Sequence, residues 1–291
     1  MNKPDFFIVG TPKAGTTSLY YYLEEHPDIY MSPIKETNYF SYSEIKEQGL
    51  YYNEEHIVSV EDYEAQFAGA THEKAKGEAS VSYLFYPSVP SKIKAYNPQA
   101  RIIMVLRNPV DRGFSHYLMD NRLGFVKASL EDIVNKKVKD RLTGDLFYQQ
   151  YISLGCYYEQ VKRYLDIFGA DQVKVLFYEE ITNDINAVIK EIYQFLGVDE
   201  NYTAATDQKY NVFLAPQNTL IKRLYTLKFF RTMVKKIFGP NFQEKIKNTF
   251  FAKEKKPELD PLLKAKMQEL FKEDILKTSR LINKNLSHWL A

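Results

Sequence analysis

The chain has 291 residues, 45% of them hydrophobic, with a formal net charge of +2. That is enough apolar material for a core and too much for a disordered chain, and a balance so near neutral gives no global field for nucleic acid. Its single cysteine, Cys156, excludes an internal disulfide and a cysteine-built metal site, and reads as a small buried filler.

In chain order, the first expected strand is Phe6–Val9, four apolar residues that run into a Gly/Pro-punctuated loop. A helix over Thr17–Glu25 follows, with Leu19, Tyr22 and Leu23 on one face. Further strands are expected at Ile29–Met31, Arg101–Leu106 and Val173–Phe177. Helices are expected at Val60–Phe67, Val89–Tyr96, Val110–Asn121, Leu130–Lys139, Ile152–Phe168, Ile185–Leu196, Leu220–Ile237 and Asp260–Asn283. Strands that alternate with helices predict an α/β fold, a central parallel sheet flanked by helices. The nearly unbroken apolar run "RIIMVLR" suits a central parallel strand, and the last third is helical. No repeat or low-complexity linker divides the chain, so one domain over 1–291 is expected. No run approaches the ~18 apolar residues of a membrane span, and a first strand starting at about Asp5 leaves no room for a leader, so the expected location is cytoplasmic.

The loop "GTPKAGTTS" is P-loop-like, but its lysine is displaced. A nucleotide-hydrolysing loop reads G-x-x-x-x-G-K-[ST]. Here the Gly10-to-Gly15 spacing is kept, Thr16 and Thr17 follow the second glycine, and the lysine is Lys13, inside the loop. Backbone N–H groups at a helix start favour an anion, and Thr16, Thr17 and Ser18 add hydroxyl donors. A cation at Lys13 would lie beside a bound phosphate and meet the charge that develops on a bridging oxygen as a bond breaks. The loop holds no acid and no strand ends in a Walker-B aspartate, so a magnesium-nucleotide site lacks its metal ligand. A purely structural glycine turn is the alternative.

The second element is "RIIMVLRNPVDRGFSHYLMD". It delivers Arg107 to the C-terminal end of a buried strand, the edge where open α/β sheets bind ligands. A guanidinium grips phosphate bidentately, and Ser115, two turns into the next helix, can donate to the same group. A strand-end salt bridge is the alternative for Arg107. Two acid-free anion sites on adjacent strand ends suit a nucleotide phosphorylated at two separate positions.

These motifs resemble the PAPS-dependent sulfotransferase family (PAPS is 3′-phosphoadenosine 5′-phosphosulfate). "TPKAGTTSL" resembles its 5′-phosphosulfate loop and "RNPVDRGFSHY" its 3′-phosphate motif. "HPDIYMSPIKETNYF" resembles the stretch after the first helix in the bacterial and heparan-sulfate-type branch, and with "LGCYYEQVKRYLDIFGADQVKVLFYEEI", "IYQFLGV" and "NLSHWL", which also resemble the family, the likeness covers nearly the whole chain. The resemblance implies that Lys13, with Ala14, Gly15, Thr16, Thr17 and Ser18, holds the 5′-phosphosulfate, and that Lys13 stabilises the leaving phosphate. It implies that Arg107 and Ser115 hold the 3′-phosphate and that Glu36 is the general base. It also implies PAPS as donor, adenosine 3′,5′-bisphosphate as product, no metal, and an acceptor hydroxyl or amine on a carbohydrate, a lipid or a small natural product. Read without the resemblance, Glu36 is a surface partner of Lys35. The heparan-type branch often has a basic residue after the glutamate of its second acceptor-side segment; here Ala79 follows Glu78, which weakens a glucosamine acceptor. Asn38 stands where some relatives carry histidine. The cytosolic branch uses a histidine base, for which His116 is the candidate, although as a helix neighbour of Ser115 it points elsewhere; His26 reads as a helix end beside Pro27.

Tyr83, Phe85 and Tyr86 are candidates to line an acceptor cleft, with a core role as the alternative. Residues 219–256 carry eleven Lys/Arg and two acids among six phenylalanines, a pattern for peripheral contact with an anionic membrane or an acidic polymer, or for a solvated helix face. A P-loop kinase or NTPase, and a nucleotide-binding module without turnover, are the competing functions.

Overall fold

The computed structural model describes residues 3–52, 57–206 and 256–291, with the backbone of 214–216 and 251–253. The expected helix Leu220–Ile237 and most of the basic segment 219–256 lie outside the described residues.

The main sheet is built from β1 (Phe6–Gly10), β2 (Ile29–Met31), β3 (Ala75–Ala79), β4 (Arg101–Leu106) and β5 (Val173–Phe177). Their order is β2-β3-β1-β4-β5, and every pairing is parallel. Side chains alternate across each strand. Phe7, Val9, Ile102, Met104 and Leu106 enter one apolar core; Phe6, Ile8, Ile103 and Val105 enter the other. With both faces covered, β1 and β4 must be apolar at nearly every position, which is why their runs are legible in the sequence.

The first core is closed by α4 (Val89–Tyr96), α5 (Pro109–Leu123), α8 (Tyr158–Phe168) and α11 (Pro261–Leu281). The second is closed by α1 (Thr16–Glu24) and α10 (Ile185–Leu196). The peripheral helices are α2 (Tyr42–Gln48), α3 (Val60–Ala65), α6 (Leu130–Val134), α7 (Arg141–Tyr151) and α9 (Tyr178–Asn183). Leu214–Pro216 and Phe251–Lys253 pair as a separate antiparallel ribbon.

Three expectations need correction. The helix read as Ile152–Phe168 begins only at Tyr158, because residues 153–155 form a tight turn before it. The helix read as Leu130–Lys139 ends at Val134, and a separate helix, α7, follows. The strand β3 was not expected at all. Its sequence, "AKGEA", holds a lysine, a glycine and a glutamate, poor strand residues taken one by one. Gly77 is required there, since a Cβ would lie 2.1 Å from the Phe6 ring of the neighbouring strand.

The connection from β3 lies on one side of β1 and β4 lies on the other. That is the topological switch point of an open parallel sheet, where loops diverge and leave a crevice.

Candidate active site

The loop that leaves β1 fills this crevice. Gly10 is pressed against the segment after β3: a Cβ there would lie 2.7 Å from Leu84 Cβ and 3.3 Å from the Val81 carbonyl. The Thr11 amide donates to the Val105 carbonyl at 2.9 Å, which ties the loop to β4 as well. Lys13 takes φ +72°, and Gly15, at φ +86°, starts α1. No side chain caps this helix and its first turn holds no acid, so the donors at Thr16, Thr17 and Ser18 meet no internal carboxylate. Ala14 is fully buried and anchors the loop from below.

Arg107 emerges from the end of β4. One guanidinium N–H donates to the Lys13 carbonyl at 2.7 Å, and the group stacks on the Tyr178 ring at 4.2 Å. The same ring faces Gly15, where a Cβ would lie 3.3 Å from it. Tyr178 thus stands between the two loops. The Arg107 carbonyl accepts from the Tyr157 hydroxyl at 2.8 Å. Asn108 caps α5 by accepting from the Val110 amide at 3.0 Å, and its own side-chain amide donates to the Trp289 carbonyl at 3.3 Å. Among the described residues Arg107 makes no ion pair. Ser115 is half-buried on α5.

Lys13 sits among cations. Its ammonium points at the Met119 sulfur, 3.4 Å away on α5. Burial and the nearby Arg122, Arg107 and Arg112 push its pKa down to about 8, with Asp120 opposing. Lys256 was not singled out by the sequence reading, yet it belongs to this group: its ammonium lies 5.1 Å over the Phe114 ring and feels the Arg107 charge, and burial lowers its pKa. Five arginines and lysines around uncapped helix donors repel one another until an anion joins them. The residues therefore fit a phosphorylated ligand.

Glu36 is brought to the same sheet edge. Its amide donates to the Ala79 carbonyl and its Oε2 accepts from the Val81 amide, each at 2.8 Å. Its Oε1 pairs with Lys35, so the surface-partner reading is correct as far as it goes. The carboxylate stays partly exposed, at 22%. Val81 thus meets the phosphate loop with its carbonyl and holds Glu36 with its amide.

His116 lies near enough to Lys13 to feel its charge, but its ring is taken up by other partners. It is buried on α5, with Nε2 2.7 Å from the Tyr52 hydroxyl and Nδ1 3.2 Å from the Gln150 carbonyl. Burial and Arg112 hold its pKa well below the usual imidazole value. Tyr83 and Tyr86 are core residues rather than cleft walls, and Phe85 is partly buried against the same core. His26 ends α1 as expected, bonded to the Asp199 carbonyl at 2.9 Å. Cys156 is half-buried, and its thiol pKa is pushed up to about 11 by burial.

Residues 3–279 match the family model described as the sulfotransferase domain. The chain belongs to the sulfotransferase family. A sulfotransferase crystal structure from Alicyclobacillus acidocaldarius is similar along 99% of both chains, at 31% identity and a TM-score of 0.75. Among curated proteins, the chain is 21% identical to a membrane-associated sulfotransferase of Dictyostelium discoideum, over 81% of this chain and 64% of that protein. It is 27% identical to a bifunctional heparan sulfate N-deacetylase/N-sulfotransferase of Xenopus laevis, over 71% of this chain and 24% of that protein. The chain therefore spans between about a quarter and two-thirds of the length of these curated relatives. In this sulfotransferase fold the displaced lysine of the first loop and the arginine of the second motif meet through one hydrogen bond. Among the described residues, no helix is long and apolar enough to cross a membrane.

Proposed function

We propose that the protein transfers a sulfuryl group from PAPS to an acceptor hydroxyl or amine, and that one domain carries the whole reaction. The observation that carries this reading is the junction of the two anion loops, with Arg107 donating to the Lys13 carbonyl and Tyr178 packed between them. One nucleotide with phosphates at two positions is the ligand that such a pair of loops suits. Lys13 with the Ala14–Ser18 segment holds its 5′ end; Arg107, Ser115 and Lys256 hold its 3′-phosphate.

In this reading the acceptor oxygen attacks sulfur in line. The new O–S bond forms as the S–O bond to the 5′-phosphate breaks, and the leaving oxygen takes the electron pair. Lys13 faces that oxygen, so its contact is best in the transition state. Glu36 takes the acceptor proton. An ionised carboxylate offers about four lone-pair sites, and Val81 and Lys35 leave some of them for the acceptor. A positioned base of this kind contributes roughly 10²–10⁴-fold. The likeness to a heparan sulfate enzyme supports a carbohydrate acceptor, and the charge pattern of residues 219–256 supports peripheral contact with an anionic membrane.

Calorimetry tests the donor site. Adenosine 3′,5′-bisphosphate should bind tightly and ATP with magnesium should not; the reverse preference would return the protein to the kinase class. Radiolabelled PAPS, offered with a panel of oligosaccharides, glycolipids and phenols, tests transfer. On any acceptor so found, Glu36→Gln should lower turnover by roughly a hundredfold with bisphosphate affinity unchanged. An active variant would move the base elsewhere.

A further inference from the structure

Glu78, which the proposed chemistry does not use, is fully buried at the end of β3 and has no cation beside it among the described residues. Such a carboxylate is costly unless its oxygens are satisfied. Three hydroxyls satisfy them. Thr37 Oγ1 donates to Oε1 at 2.5 Å, Ser80 Oγ donates to Oε1 at 2.6 Å, and the Tyr63 hydroxyl donates to Oε2 at 2.5 Å.

Two of these hydroxyls are also tied to backbone amides. Ser80 Oγ receives the Asn38 amide at 3.0 Å, and Thr37 Oγ1 receives the Tyr39 amide at 3.4 Å. The Tyr83 hydroxyl, 3.2 Å from Thr37 Oγ1, receives the Phe40 amide at 3.3 Å. These hydroxyls thus link the Glu78 carboxyl to the backbone amides around it. Burial pushes the Glu78 pKa up, and the Ser80, Thr37, Tyr63 and Tyr83 hydroxyls pull against that rise.

The three amides so engaged, at Asn38, Tyr39 and Phe40, belong to the turn that carries Glu36. That turn is sterically costly: Glu36 and Asn38 take φ +63° and +51°, the left-handed region, without being glycine. Strained backbone of this kind persists only when its surroundings over-determine it. Here the surroundings converge on one carboxylate. Residues 79 and 81, on the same strand end, hold Glu36 itself.

We propose that Glu78 is a positioning residue: a buried carboxylate that gathers the Thr37, Ser80 and Tyr63 hydroxyls and thereby holds the Glu36 turn in its working shape. This rests on the reading of Glu36 as the base.

Glu78→Gln tests it, because it turns one of the two acceptor oxygens into an N–H₂ donor and so disrupts the hydroxyl contacts on that side. Turnover at saturating PAPS should fall about tenfold or more, since small misplacements of a catalytic group carry such costs, while the bisphosphate Kd stays within about twofold. Hydrogen exchange at the amides of residues 38–40 should speed up, with no change across Phe6–Gly15. In Glu36→Gln/Glu78→Gln, turnover should be no lower than in Glu36→Gln alone. Thr37→Val keeps the shape and removes one hydroxyl, so it should repeat the pattern more mildly; Thr37→Ser should not. The proposal is overturned if the two glutamate substitutions multiply, if bisphosphate affinity falls in step with turnover, or if exchange at residues 38–40 is unchanged in both Glu78→Gln and Thr37→Val. A Glu36→Gln enzyme that keeps its turnover instead removes the base assignment, and the exchange data then still report whether Glu78 holds the turn.

Discussion

Removing the Lys13 ammonium should change how many protons the protein takes up with its nucleotide. In the free protein burial and the surrounding Arg122, Arg107 and Arg112 lower the Lys13 pKa from 10.5 to about 8. A phosphate beside it supplies the missing negative charge and should return the value toward 10.5. The sign follows: the contribution of Lys13 to affinity is complete below pH 8 and is lost as the pH rises through the bound value. At pH about 9.2 the free lysine is roughly 6% charged and the bound lysine roughly 95%, so binding should draw in about 0.9 proton. The bisphosphate itself is fully ionised there, and the arginines do not titrate. Lys256 also has a lowered pKa and will add its own share, so the decisive quantity is the parent minus Lys13→Ala. Calorimetry in two buffers of different ionisation enthalpy measures it directly. A difference below about 0.2 proton at this pH would refute the placement of Lys13 against the phosphate, whatever the variant does to turnover.

Lys13→Ala should also cut turnover by orders of magnitude in a folded protein; a loss of less than about threefold would take Lys13 out of the chemistry. Arg107→Ala should raise the bisphosphate Kd by about ten- to a hundredfold, the worth of a charge-assisted contact, and should barely change the Kd of an analogue without the 3′-phosphate. Equal losses for both ligands would mean that Arg107 only supports the loop through the Lys13 carbonyl. Gly113→Ala should destabilise the fold by roughly 2 kcal/mol or more, seen as a lower Tm, because the new Cβ would lie 2.3 Å from the Tyr151 carbonyl, a backbone atom that cannot turn aside. An unchanged Tm would show that α5 has room to shift.

What could be read along the chain was what local chemistry dictates. The central strands were legible because burial on both faces demands apolar residues at successive positions, as at Ile102–Leu106. The loop after β1 was legible because uncapped helix donors, a glycine at φ +86° and a lysine need only be neighbours in sequence. Arg107 was legible as the charged residue that ends an apolar strand. The strand "AKGEA" was not, because each of its odd residues answers to something distant. Gly77 yields to the Phe6 ring, and Glu78 is tolerable only once Thr37, Ser80 and Tyr63 have been folded around it. Glu36 read on its own as a partner of Lys35, and it is one. Only tertiary structure sets it on the Val81 amide, beside the loop that leaves β1. Lys256, 149 residues from Arg107 along the chain, comes within reach of its charge for the same reason. Sequence determines which groups a segment can offer; a site made from several strand ends exists only when hydrogen bonds between them fix its members in one place.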